Sequence, residues 1–246
     1  MADLRNFPNR AQAGVQSGAM IDEGLRTYML KVYNLMAVGL ALTGVAAFMT
    51  FQLAFSNGEL TAFGQAIYLS PLKWVVMLAP IGLVFFMSFR INSMSVSAAR
   101  TTFAVYAALM GLSLSSIFVI YTGQSVVQTF FVTAASFGAL SLYGYTTKRS
   151  LSAMGSFLMM GLFGLIIASV VNIFLASSAL QFAISAAGVL IFAGLTAYDT
   201  QRIKSMYFSV AGTSFAGKSV VMGALQLYLD FINMFLFLLR FMGDRR

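Results

Sequence analysis

The chain has no cysteine and no histidine, and of its 246 residues only 15 are Lys or Arg and 7 are Asp or Glu. Without cysteine there are no disulfides, no thiolate metal ligands and no thiol nucleophile. Without histidine the chain lacks the usual metal ligand, the usual general base and the one side chain that ordinarily titrates near neutral pH. Any response to pH near neutrality must therefore come from carboxyl groups. No Walker or dinucleotide-binding glycine pattern is present. Serine and lysine are scattered, so no Ser–Lys pair stands out as a catalytic unit. Enzymatic activity and a bound cofactor are not expected.

What the chain does have is apolar surface, with 59% hydrophobic and 9% charged residues. That balance belongs to polytopic membrane proteins rather than soluble domains. Six or seven spans of about 20 residues would use more than half of such a length, and the expected class is all-α. The formal charge of +8 is not a nucleic-acid signal, because the Lys and Arg residues sit singly or in pairs beside apolar runs, as cytoplasmic anchors do. Lipid, and not nucleic acid, is the expected surrounding partner.

Residues 1–32 are polar and mixed in charge and read as a cytoplasmic N-terminal tail, with residues 11–32 as a short surface helix. The first apolar run starts too late and continues too long for a secretory signal. Spans are expected at about 33–56, 72–89, 101–121, 125–146, 151–175, 179–201 and 224–242. The transmembrane domain is then 33–243, followed by a charged tail at 244–246. Pro80 is expected to kink the second span, which a membrane bundle tolerates.

With the N-terminus in the cytoplasm, the inside segments hold Arg5, Arg10, Arg26, Lys31, Arg90, Arg100, Lys148, Arg149, Arg202, Lys204 and Lys218, and the outside segments before the last span hold Lys73. That asymmetry follows the positive-inside rule. The last span raises a question, since a full crossing takes Arg240, Arg245 and Arg246 to the outer face. The alternative is a re-entrant segment that returns to the cytoplasmic side.

The segment 224–242 organises the chain. On a helix, Gln226, Asp230 and Asn233 fall at i, i+4 and i+7 and form one polar stripe on an apolar cylinder. An Asp at the centre of a membrane helix costs roughly 2.5 to 3.5 kcal/mol even on the lenient insertion scale, so the stripe should face a bundle interior, a water-filled cavity or a partner. Asp199 lies about one turn inside the cytoplasmic end of the sixth span. Consecutive antiparallel spans are neighbours, so the two carboxyls are expected to meet on the cytoplasmic side of the bilayer middle. In a low dielectric both cannot ionise cheaply, and the pair is expected to share one proton.

Plainer readings stand beside these. Asp199 can pair with Arg202 at i+3 as a helix-end ion pair. Asp230 can be structural, hydrogen-bonded to Asn172 of the fifth span or to a backbone group. Arg90 can be a snorkelling anchor at the end of the second span. Gly161, Gly164, Gly188 and Gly194 are read as sites of close helix packing.

At Ala197–Ile203 (AYDTQRI) and Leu225–Gly243 (LQLYLDFINMFLFLLRFMG) the sequence resembles the Bax inhibitor family, also called the transmembrane Bax inhibitor motif-containing family, over roughly residues 25–243. The short tail Asp244-Arg245-Arg246 is similar to that of bacterial members. The resemblance implies a seven-helix bundle of the bacterial inner membrane with the last helix at its centre. It implies a pH-sensitive calcium leak in which Asp199 and Asp230 form the sensor and gate and contact the ion. It further implies a basic residue of the second span, here Arg90 by position, that latches onto the pair in the closed state.

Gln226, Asn233 and Asn172 are then the polar residues expected to line the path. Calcium is expected as a permeant or weakly bound ion, since two carboxylates suit a hard cation but are too few for a tight site. Weak binding suits conduction. The family also includes bacterial members that bind and modulate a membrane protease, a role that would use residues 1–25 as the contact. Proton-coupled transport is the third class, and the sequence lacks the pair of broken helices that would favour it.

Overall fold

A computed structural model describes the backbone of residues 7–246 and the side chains of residues 22–246. The first part of the expected tail, with the side chains of Arg5 and Arg10, lies outside the described residues. Helix α1 (Phe7–Ala54) leads into a hairpin of β1 (Phe55–Ser56) and β2 (Glu59–Leu60), then α2 (Ala62–Tyr68) and α3 (Leu72–Arg90). After these come α4 (Val96–Leu114), α5 (Ile117–Ile120), α6 (Gly123–Thr146), α7 (Ser152–Leu175), α8 (Ser178–Val210) and α9 (Ala216–Met242). Among the described residues, seven stretches are long and apolar enough to cross a membrane, and the architecture is all-α apart from the hairpin and an isolated bridge between Tyr121 and Arg245.

Local chemistry sets the ends. Ser95, Thr122 and Ser177 each accept a hydrogen bond from the backbone N–H three residues on, capping α4, α6 and α8. Asn57 and Gly58 both take positive φ, 53° and 83°, as a two-residue hairpin turn requires, and Asn-Gly meets that demand. Pro80 is buried within α3, which continues past it without a break in the helix.

Helix α1 begins packing earlier than composition suggested. Leu25, Tyr28, Met29 and Val32 are buried, so the packed face of α1 extends into the segment expected as tail. The cause is amphipathicity. These four residues fall at i, i+3, i+4 and i+7 on the inner face, while Glu23, Arg26 and Lys31 occupy the exposed face. Averaged along the sequence the two faces cancel, which hides the helix from a hydropathy reading. Helix α8 likewise runs on to Val210, past the expected end at 201. In these added turns Lys204 donates to the Tyr145 carbonyl at 2.7 Å.

Helix α9 is the centre of the bundle. Two thirds of its span, 67%, is buried, against 11–33% for each of the other six, and it packs on α1, α4, α6 and α8. It runs the full length of the bundle. At one end Lys218 Nζ donates to the Asn92 carbonyl at 2.7 Å, beside the α3–α4 turn. At the other, Thr122 N–H donates to the Asp244 carbonyl at 3.1 Å and Arg246 N–H to the Ile120 carbonyl at 3.0 Å. These anchors hold the two ends of α9 at opposite ends of the bundle, as a full crossing requires.

Small residues bring the helices together. A Cβ on Gly111 would come within 2.5 Å of the Thr43 carbonyl on α1, and one on Gly144 would strike the Ala197 carbonyl on α8. Gly188 meets Phe237, Gly194 meets Leu158 and Gly161 meets Ile191, whereas Gly164 faces open space. Packing therefore explains three of the four glycines singled out above, and Gly164 is not among them.

Candidate functional site

Helices α8 and α9 pack side by side in one continuous antiparallel register. Ser219 Oγ meets Met206 Sδ, Gly223 faces Ile203, and Gly188 faces Phe237. That register places Asp199 opposite Gln226 and one helical turn from Asp230. Gln226 Nε2 donates to Asp199 Oδ2 at 3.0 Å, and both carboxyl groups line one crevice beside the α8–α9 contact. Both acids are nearly sealed, at 3% and 4% exposure. Asp230 lies about 21 Å from Ala216 and about 18 Å from Met242 along α9, which is the middle of the span.

The satisfaction of the two acids is unequal. Asp199 has an amide donor, while Asp230 Oδ2 is buried with no hydrogen-bond partner. An ionised carboxylate only accepts hydrogen bonds, so two ionised groups facing each other would have nothing to share. A hydrogen bond between them requires a proton on one.

The pair forms part of the wall of a crevice of about 520 Å³ between α7, α8 and α9, open to the outside of the bundle. Helix α7 packs mainly on α8, and the space it leaves against α9 is this crevice. From α9 it receives Gln226, Asp230 and Asn233, from α8 Asp199, and from α7 an apolar wall interrupted by Ser169. Gln226 is exposed and Asn233 half-buried, with Asn233 Nδ2 bonded to the Leu229 carbonyl at 2.8 Å. The stripe of three polar residues thus faces one open space.

Two residues named from the sequence are placed elsewhere. Asn172 holds the α7–α8 turn, accepting from Ser177 N–H at 3.1 Å and donating to Gln181 at 3.2 Å. It neither lines the crevice nor bonds Asp230, because Ala176 at φ 48° folds the chain back and leaves Ser177 N–H in need of an acceptor. Arg90 is exposed at the end of α3, and α3 packs on α4 and α2 rather than on the α8–α9 pair. This conformation does not bring it to the aspartates. Arg202, exposed one turn beyond Asp199, is the cation whose field reaches it, while the hydrogen bond to Asp199 comes from Gln226.

Two hydroxyl clusters around the pair were not anticipated. On one side Tyr33 meets Ser141 at 2.6 Å and Ser141 meets Thr200 at 2.9 Å, linking α1, α6 and α8. On the other, Tyr228 meets Thr43 at 2.7 Å. Their signal in the sequence is weak, being single hydroxyls within apolar runs, but Thr200 and Tyr228 both lie within two residues of an aspartate.

Comparison with known proteins agrees with the architecture. Residues 25–246 match the family described as Inhibitor of apoptosis-promoting Bax1. The chain is 47% identical to the inner membrane protein YbhL of Escherichia coli (strain K12), over 99% of this chain and all of that one. It is 52% identical to a protein of Rickettsia prowazekii (strain Madrid E) over 92% of each chain. With seven apolar spans and a match across nearly its whole length, the chain belongs to the Bax inhibitor family of membrane proteins.

Proposed function

We propose that the protein is a pH-responsive calcium leak of the bacterial inner membrane, with its N-terminus in the cytoplasm and Asp199 and Asp230 as the gate. The observation that carries this reading is the meeting of two sealed carboxyls at mid-span on the wall of an open, polar-striped crevice. An exposed amide such as Gln226 at that depth is costly against lipid and favourable against water, which supports a wet crevice leading to the pair. The inner-membrane assignment is supported by the name of the relative YbhL, and the orientation by the distribution of Lys and Arg.

The physics of the gate follows from charge. With one shared proton the pair carries one negative charge. Loss of that proton leaves two carboxylates face to face in a low dielectric, which pushes α8 from α9 and attracts a divalent cation. Calcium flux should therefore rise as pH rises. Among the described residues no group of three or more His, Cys, Asp or Glu could hold a metal ion, so two carboxylates with water oxygens would bind calcium weakly, as conduction needs.

The test is reconstitution into proteoliposomes with a calcium-sensitive dye. A leak gives passive, non-saturating entry down the calcium gradient with no proton gradient imposed. Entry no faster than in protein-free vesicles at any pH would rule it out. Deleting residues 1–21 should leave flux intact, and loss of protease capture without loss of flux would mark a separate role for that segment.

A further inference from the structure

We infer that the seam between α1 and α6 binds one anionic phospholipid from the leaflet in which α1 begins, with an acyl chain in the seam and the phosphate at Arg26. The inference is independent of the calcium leak. Helices α1 and α6 are not among the closely packed pairs of the bundle, and the space between them is a crevice of about 500 Å³ open to the outside. Its walls are Met29, Leu30 and Met36 of α1 and Phe137 and Leu142 of α6. Both helices belong to apolar spans, so hydrocarbon is what meets these walls.

The crevice has the polarity and length of a lipid. Exposed Arg26 lines one end, and no acidic residue lines any part of it. The bond between Tyr33 and Ser141 sets the register of the two helices, which places Tyr145, one turn past Ser141, towards Arg26. Behind Tyr145 stands a second cation, Lys204, with its ammonium 5.0 Å from the ring. Met36, at the apolar end, lies about 15 Å from Arg26 along α1, which is half the thickness of the hydrocarbon core. Tyr33 and Ser141, midway, are bonded to each other, and Ser141 also to Thr200, so they ask nothing of a hydrocarbon occupant.

Gly138 marks the groove. Glycine in a helix interior is destabilising relative to alanine, and no neighbouring helix uses the missing side chain, since a Cβ there meets nothing within 4 Å. The space belongs to the crevice. A second crevice of about 260 Å³ lies further along the seam, beside Gly44, but no cation lines it. Its one hydroxyl, Thr43, is already bonded to Tyr228 and to the Ala107 carbonyl.

Native mass spectrometry of the full-length, delipidated protein in detergent, titrated with phosphatidylglycerol or phosphatidylcholine, tests the site. Wild type should take up one phosphatidylglycerol several-fold more tightly than phosphatidylcholine, whose choline ammonium Arg26 and Lys204 repel. Arg26→Gln should weaken phosphatidylglycerol binding about tenfold, the size expected of one hydrogen bond to a charged group. Gly138→Leu should abolish tight binding, with a thermal midpoint in the absence of lipid no lower than wild type, because the leucine enters open space. Gly44→Leu should bind as wild type does. Equal affinity for the two lipids, unchanged binding in Arg26→Gln or in Gly138→Leu, or loss in Gly44→Leu would overturn the assignment. So would displacement of phosphatidylglycerol by an equal concentration of oleate, which marks a fatty-acid site, or a dimer of the chain that Gly138→Leu breaks.

Discussion

The Tyr228 hydroxyl meets Thr43 Oγ1 at 2.7 Å, which ties the central helix α9 to α1 two residues before Asp230. Tyr228 is fully buried, and its ring packs edge-on against Phe103 and Tyr106 of α4. The tyrosine and the aspartate thus face different neighbours on one helix. Tyr228→Phe should cost about 1 kcal/mol, the value of one buried hydrogen bond, and leave the pH profile of flux in place. Unfolding in detergent micelles measures the first, and the flux assay the second.

Gly144 permits contact between α6 and the Ala197 carbonyl on α8, the helix that carries Asp199. Gly144→Leu should force the two helices apart and destabilise the bundle by about 1 to 3 kcal/mol, as overpacking does. Gly164→Leu is the control, because a Cβ there meets nothing within 4 Å and the position is exposed. It should unfold at the wild-type midpoint.

The absence of cysteine makes topology directly measurable. Single substitutions Glu59→Cys, Ser93→Cys and Asp244→Cys place thiols on exposed positions. An impermeant maleimide added to right-side-out vesicles should label positions 59 and 244 together and spare 93. Asp244 is bonded to Thr122 at the end of the bundle away from the α3–α4 turn, so labelling of 244 with 93 would contradict the full crossing of α9.

The two candidate basic residues make different predictions. Arg202 acts on Asp199 across one turn of α8, so Arg202→Gln withdraws a charge that favours the anion. The flux profile should shift by a few tenths of a unit at most, and less at high salt, because Arg202 is exposed and its charge screened. Arg90→Gln should leave the midpoint unmoved, since Arg90 lies on a helix packed away from the pair. A larger shift from Arg90 than from Arg202 would revive the latch.

The parts of the fold that depend on composition were open to reading from the sequence. Seven apolar runs give seven spans, and the one sustained polar stripe, Gln226 to Asn233, marks the central helix. What failed depended on direction in space. The face of Leu25, Tyr28, Met29 and Val32 is buried, but interleaved charges mask it, and the turn at Asn57-Gly58 closes a hairpin within what read as a plain connection.

At the site, chain order alone makes α8 and α9 neighbours, which is enough to suggest that Asp199 and Asp230 approach. The bond from Gln226 to Asp199 depends on helix register, set by contacts such as Gly223 with Ile203, and spacing within one helix cannot supply it. Asn172 shows the converse case. Its polarity suggested a path, and the local demand of the α7–α8 turn claims it instead.

The measurement that bears most directly on the paired aspartates is calcium entry into proteoliposomes as a function of pH, comparing wild type with Asp199→Asn and Asp230→Asn. Wild-type flux should rise with pH as the shared proton leaves, and each substitution should flatten the profile, because one carboxyl alone has no partner with which to share a proton. A wild-type pH dependence preserved in both variants would contradict the account.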